Sequence, residues 1–446
     1  MKNDFPAQEL LANGALVESA GLRYQTGFHN EHASEALPGA LPRGRNAPQK
    51  APYGLYAEQI NNTSFTAPRA DNLRSWVYRI YPTTAAQGPW ERMAHARLDE
   101  AADLPIPSPN RHRWQPWDLA APGTDFVDGL TRVAQAGGAT QKRGMSLFAY
   151  AASRSMTERV FSNADGDLMI LPHQGRLRLT TELGCLDVGP GEIAMIPRAL
   201  VFRVELLERD CRGFVCENLG NPLRLPERGV VGANGLANER DFLAPVAAYE
   251  DNPSPVESVY KYSGVLWRAT LKRSPFDVVA WHGTLAPYKY DLRNFNAVYT
   301  VTYDHSDPSV FCALTSPSGA PGIANIDFCV LPPRWLVATD TFRPPFFHRN
   351  AMSEIVIALA GTPESRARDY HAGSSHVHNP MVPHGPDPEI FDRASNIELG
   401  PHHEDTMMVM FESVLPFSVT SEALAAPNFD RNYAHNWDTT PVLFRR

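Results

Sequence analysis

Five cysteines in 446 residues are too few, and odd in number, for a disulfide framework, so Cys185, Cys211, Cys216, Cys312 and Cys329 read as reduced thiols. Cys211 and Cys216 lack the spacing of a zinc knuckle and read as ordinary structural residues. The chain also has no block of lysine and arginine. With 41 basic against 49 acidic residues its net charge is −8, which leaves no electrostatic footprint for nucleic acid. No stretch approaches the roughly 18 apolar residues of a membrane helix. Met1 to Leu11 lacks the basic flank and apolar centre of a secretory signal. These absences point to a cytoplasmic protein and exclude nucleic acid and membrane as partners.

Long amphipathic periods are missing too, and what stands in their place is proline. There are 39, about 9% of the chain against an average near 5%. Proline disfavours helix interiors and central strands, so with 30 glycines the chain reads as short strands joined by rigid turns. Strand-length apolar runs recur at 76–81, 167–171, 176–181, 192–196, 201–206, 277–281, 298–303, 326–331, 354–360 and 407–412. Only 90–102 and 420–426 offer helical stretches. The expected class is mainly β, a sandwich or barrel. At roughly 150 residues per domain the length allows two or three domains, and a shift in composition near residue 290 suggests a boundary.

Asp165-Gly166-Asp167, Gly175 and Val188-Gly189-Pro190-Gly191-Glu192 through Pro197 spell turn, strand, turn, strand and proline exit, as in a small jelly roll. The stretch resembles half of a cupin signature. Phe202 and Arg203 stand near the place of a cupin metal histidine, so this barrel is expected to carry no metal.

Eight of the 15 histidines fall between residues 305 and 403, which suggests a metal or acid/base site. His348 and Glu354 are six apart, so on an extended strand they would face one side and reach one ion. Pro383-His384-Gly385-Pro386 offers a further imidazole in a stiff loop. Two imidazoles and one carboxylate leave coordination positions open, which suits non-haem Fe(II). Zinc would tolerate the same ligands, but the His-Glu-x-x-His helix of many zinc hydrolases is absent. His305 and His378 are candidate bases beside the metal, whereas His29, His32, His402 and His403 read as structural.

Several motifs in order carry a closer likeness: Gly27-Phe28-His29-Asn30-Glu31-His32, Tyr53-Gly54-Leu55-Tyr56-Ala57-Glu58, Gly232-Ala233-Asn234-Gly235-Leu236, Pro287-Tyr288-Lys289-Tyr290, His348-Arg349-Asn350-Ala351-Met352-Ser353-Glu354 and Pro383-His384-Gly385-Pro386-Asp387. Together they closely resemble the homogentisate 1,2-dioxygenase family. The resemblance implies a large amino-terminal β domain (1–290), a carboxy-terminal cupin-like domain (291–446) and a homohexamer built from two trimers. It implies Fe(2+) held by His348, Glu354 and His384, His305 as the active-site acid/base, and His378 in contact with substrate. The implied reaction opens the ring of homogentisate with O2 to give maleylacetoacetate, a step of tyrosine and phenylalanine catabolism.

One departure bears on substrate. Nine residues after the ligand glutamate the family generally has a tyrosine that binds the substrate carboxylate, and this chain has Pro363. Losing that donor costs about 1.5 to 3 kcal/mol unless Arg366, Arg368 or Tyr370 replaces it. The alternatives are a dioxygenase for a differently substituted hydroquinone or gentisyl compound, and a non-enzymatic or zinc-bound cupin.

Overall fold

The computed structural model describes residues 16–19, 21–95, 97–100, 104–299, 302, 307–337, 346–363 and 370–446. His305, Arg366 and Arg368, and half of the run 298–303, lie outside the described residues. The chain adopts the mainly β class of packed sheets expected from its punctuation by proline and glycine.

Its organising element is a ten-stranded antiparallel sheet with a core on each face. The period-2 alternation of its strands explains both. In the strand Arg143–Ala152, Leu147 and Ala149 point to one core while Phe148 and Tyr150 point to the other. Asp167–Gln174 repeats the pattern, with Met169 and Leu171 on one side and Leu168 and Ile170 on the other. One face is covered by a seven-stranded sheet that supplies Leu177, Leu179, Phe202, Val204 and Val259. The other is covered by a six-stranded sheet that supplies Leu314, Phe328, Ile355, Val409 and Phe411. These strands read as near-continuous apolar runs because a central layer is buried on both sides.

The turn-and-strand grammar of 165–197 is realised as four strands, Asp167–Gln174, Leu177–Thr181, Gly184–Val188 and Glu192–Ile196. Gly175 turns with φ +76°, and a Cβ there would sit 2.5 Å from the Cys211 sulfur. The helices differ from expectation. Among the described residues of 90–102 only the strand Glu91–Met93 forms, because it pairs with Val265–Leu271. Ser421–Ala425 is helical with Thr420 as its N-cap. A further helix, Pro388–Asn396, starts where Asp387 Oδ1 accepts from Ile390 N and Pro388 fills the first turn.

The six-stranded sheet runs in the order Cys312–Pro317, Ala324–Leu331, Met407–Ser413, Ser353–Ala360, Ser375–His378, His112–Trp114. Its last strand comes from the amino-terminal half, and Ser418–Val419 in turn edges the ten-stranded sheet. No helix of the described residues is long and apolar enough to cross a membrane.

Candidate metal centre

Antiparallel partners that lie directly opposite share a face, so register alone places several polar side chains in one row. Asp327 faces Glu412, Glu412 faces Glu354, and Glu354 faces His378. Glu354 is thus central, on a strand flanked on both sides. Val356 and Met410, one step along the same face, are apolar and line a cavity of about 880 Å³ together with Glu354 and Glu412.

His348 does not share the strand of Glu354, which begins only at Ser353. The parity of their spacing is therefore not what brings them together. His348 and His384 form an isolated antiparallel bridge, His348 N donating to His384 O at 2.9 Å and His384 N to His348 O at 3.1 Å. This bridge folds two loops over the start of the strand and brings the rings to 4.1 Å.

The donor set is then decided by hydrogen bonding. Nδ1 of His348 lies 2.9 Å from the Phe346 carbonyl, and Nδ1 of His384 lies 2.9 Å from the Val382 carbonyl. A carbonyl only accepts, so each imidazole donates from Nδ1 and Nε2 is the nitrogen it turns toward Glu354. His384 Nε2 stands 3.1 Å from Glu354 Oε2, and His348 Nε2 stands 3.8 Å from Oε1. Asn350 Nδ2 donates to Oε1 at 2.7 Å and holds the carboxylate in place. A cation seated between the two Nε2 atoms and the carboxylate would engage all three in this buried gap, so the residues fit a metal ion. Among the described residues these are the one group of three histidine, cysteine or acidic side chains so arranged, with ligand atoms within 4.8 Å of one another.

The carboxylates divide by environment. Burial alone would raise the Glu354 carboxyl, but the imidazoles of His348 and His384 reverse this and hold it well below the usual range. His348 acts on Glu412 too, but more weakly than burial and the neighbouring carboxylates do. Burial, with Glu354 and Asp327 beside it, pushes it up to about 7.

His378 is fully buried, its ring 4.1 Å from that of His384 and its Nε2 3.0 Å from the Tyr433 hydroxyl. Tyr370 is also buried. Its hydroxyl donates to the Val356 carbonyl at 3.2 Å and lies 3.0 Å from His376 Nδ1, and Tyr370 is not among the residues lining the cavity. Pro363 is buried. His29 stacks on Phe28, His32 Nε2 faces the Gly27 carbonyl, and His402 and His403 lie on a strand paired with Arg334–Leu336, all apart from the metal group. Sequence reasoning missed Asn350, Glu412 and Tyr433. Asn350 was legible as a carboxamide four residues before the ligand glutamate, whereas the other two depend on strand register and on the path of the carboxy-terminal segment.

Fold and site together define a layered β protein with a two-histidine, one-carboxylate group that could hold a metal ion and that borders a largely apolar cavity. Family models described as homogentisate 1,2-dioxygenase N-terminal and C-terminal match residues 23–292 and 293–444. The homogentisate 1,2-dioxygenase of Pseudomonas entomophila strain L48 is 49% identical over 96% of this chain and 98% of its own length. That of Pseudomonas putida strain KT2440 is 50% identical with the same coverage. The chain belongs to the homogentisate 1,2-dioxygenase family. Among solved structures, the Escherichia coli protein Ylba aligns over 70% of this chain and 94% of its own at 6% identity and a TM-score of 0.32, a likeness too distant to inform function.

Proposed function

We propose that the chain opens the ring of homogentisate with O2 to give 4-maleylacetoacetate, using Fe(II) held by Nε2 of His348, Nε2 of His384 and the carboxylate of Glu354. The observation that carries this reading is the convergence of two imidazole Nε2 atoms and one carboxylate at the wall of a cavity large enough for an aromatic acid. Three protein ligands leave coordination positions for substrate and O2, and the iron supplies the activation of O2 that a closed-shell ring alone does not offer.

The chain's own residues do the rest. The apolar walls, Val356, Met408 and Met410 among them, exclude water around the ring. Asn350 keeps the carboxylate oriented. His305 holds or takes a ring hydroxyl proton, a role that rests on the family resemblance, and His378 stands beside the substrate position against His384. With the hydroxyl of Tyr370 engaged at Val356 and His376, the arginines Arg366 and Arg368 are the better carboxylate anchors where the family has tyrosine and this chain has Pro363. A homohexamer of two trimers and a cytoplasmic location complete the proposal. The near half-identity to homogentisate enzymes over the full chain places homogentisate ahead of other hydroquinones.

Oxygen uptake by Fe(II)-loaded protein, followed with the absorbance of the ring-opened product, tests the reading on homogentisate, gentisate, methylhydroquinone and hydroquinone. One O2 consumed per homogentisate, with slower turnover of the uncharged rings, is expected. Preference for the uncharged rings overturns the anchor, and no uptake with any ring overturns the enzyme. His305→Ala is expected to keep its iron and lose turnover.

A further inference from the structure

His378 is held from behind by a part of the chain far away in sequence. Beyond the helix Ser421–Ala425 the carboxy-terminal segment runs along the edge strand His112–Trp114, and the two are laced by hydrogen bonds. Gln115 N donates to Asn428 O at 2.9 Å, Asn428 Nδ2 to Gln115 O at 2.7 Å, and Asp430 N to Arg113 O at 2.9 Å. Arg113 Nε binds Asp430 Oδ2 at 2.8 Å, and Trp437 Nε1 donates to the Pro386 carbonyl at 2.9 Å, two residues past His384. These ties deliver Tyr433, itself buried, to 3.0 Å from Nε2 of His378.

We propose that Tyr433 is a positioning residue of this centre: its hydroxyl donates to Nε2 of His378 and so fixes that imidazole with its proton on Nδ1, as a hydrogen-bond donor beside the metal ligands. The donor role follows from the surroundings. The guanidinium of Arg113 lies 4.8 Å over the Tyr433 ring, and a cation there favours electron density leaving the phenol oxygen, which strengthens O–H as a donor. Nδ1 of His378 is buried as well, so neither nitrogen of this imidazole is set by contact with bulk water. Ring position is set by the same contacts, because His378 is clamped between His384 at 4.1 Å and the Tyr433 ring at 6.1 Å. In this tautomer His378 can donate from Nδ1 and cannot accept there, with its ring fixed against that of His384. This rests on the ring-cleaving reading for its catalytic consequence but not for the tautomer itself.

The test uses the zinc-loaded full chain, which is diamagnetic, with 15N-labelled histidine and the His378 signals assigned by their loss in His378→Gln. Wild-type protein is expected to show a protonated Nδ1 and an unprotonated, hydrogen-bonded Nε2, and Tyr433→Phe to show a mixture of tautomers. In the Fe(II) enzyme Tyr433→Phe is expected to lower kcat about tenfold, with KM for homogentisate and iron content unchanged. A proton on Nε2 in the wild type overturns the proposal, as does a Tyr433→Phe enzyme with wild-type kcat. If wild-type enzyme fails to consume homogentisate, the functional reading falls while the tautomer still decides the role of Tyr433.

Discussion

Asn350 gives the sharpest measure of how far the centre depends on residues that do not touch the metal. Its Nδ2 donates to Glu354 Oε1 at 2.7 Å, and Oε2 is the oxygen nearest His384. Asn350→Ala deletes this bond and leaves the carboxylate free to rotate. A hydrogen bond to a charged group contributes about 1.5 to 3 kcal/mol, and at 1.4 kcal/mol per decade its loss weakens metal binding about 10- to 100-fold. The same range is found for hydrogen-bond partners of metal ligands in general. Glu354→Gln, which removes the ligand's charge, is the upper bound and must be worse. The assay is equilibrium competition for Fe(II) against a chelator under anaerobic conditions, run on wild type and both variants. An Asn350→Ala protein that binds as tightly as wild type, while Glu354→Gln does not, refutes the view that Asn350 preorganises the ligand.

Further outcomes follow from the packing. A Cβ at Gly385 would lie 2.6 Å from the Phe347 ring and 2.9 Å from the Phe347 Cα, so Gly385→Ala must push apart the loops bridged by His348 and His384 and is expected to cost metal affinity more than overall stability. Chelator competition beside a denaturant midpoint separates the two. Lys261 Nζ binds Asp165 at 2.8 Å and Glu217 at 2.7 Å in the interior, and Lys261→Met strands both carboxylates; a loss of about 3 to 5 kcal/mol in denaturant unfolding is expected. Burial pushes His29 down to about 4 from 6.5, so the folded state holds it neutral while the unfolded state takes up a proton below 6.5. Its contribution is intact above pH 6.5 and is lost as pH falls toward 4, by up to about 3 kcal/mol. His29→Asn, which tolerates the local φ of 49°, is expected to flatten that part of the stability profile, and an unchanged profile counts against the cause.

What the amino-acid sequence determined by itself was local. Asp165-Gly166, Gly175 and Gly189-Pro190-Gly191 demand turns whatever surrounds them, and the strands between them formed where the turns required. The stiff loop around His384 and the carboxamide at Asn350 were likewise readable, because each acts on neighbours a few residues away. The candidate ligands His348, Glu354 and His384 were legible as residue types, but the reason for their meeting was not. A backbone bridge between two loops unites them, and even spacing along a strand does not. Glu91–Met93 became a strand rather than a helix because a partner strand was available. Glu412 and Tyr433 belong wholly to the tertiary level. Register across the sheet puts Glu412 opposite Glu354, and the path of the carboxy-terminal segment puts Tyr433 behind His378. Turns and caps are decided by short-range sterics and hydrogen bonds, while register and the burial that shifts a carboxyl arise only when distant strands pair.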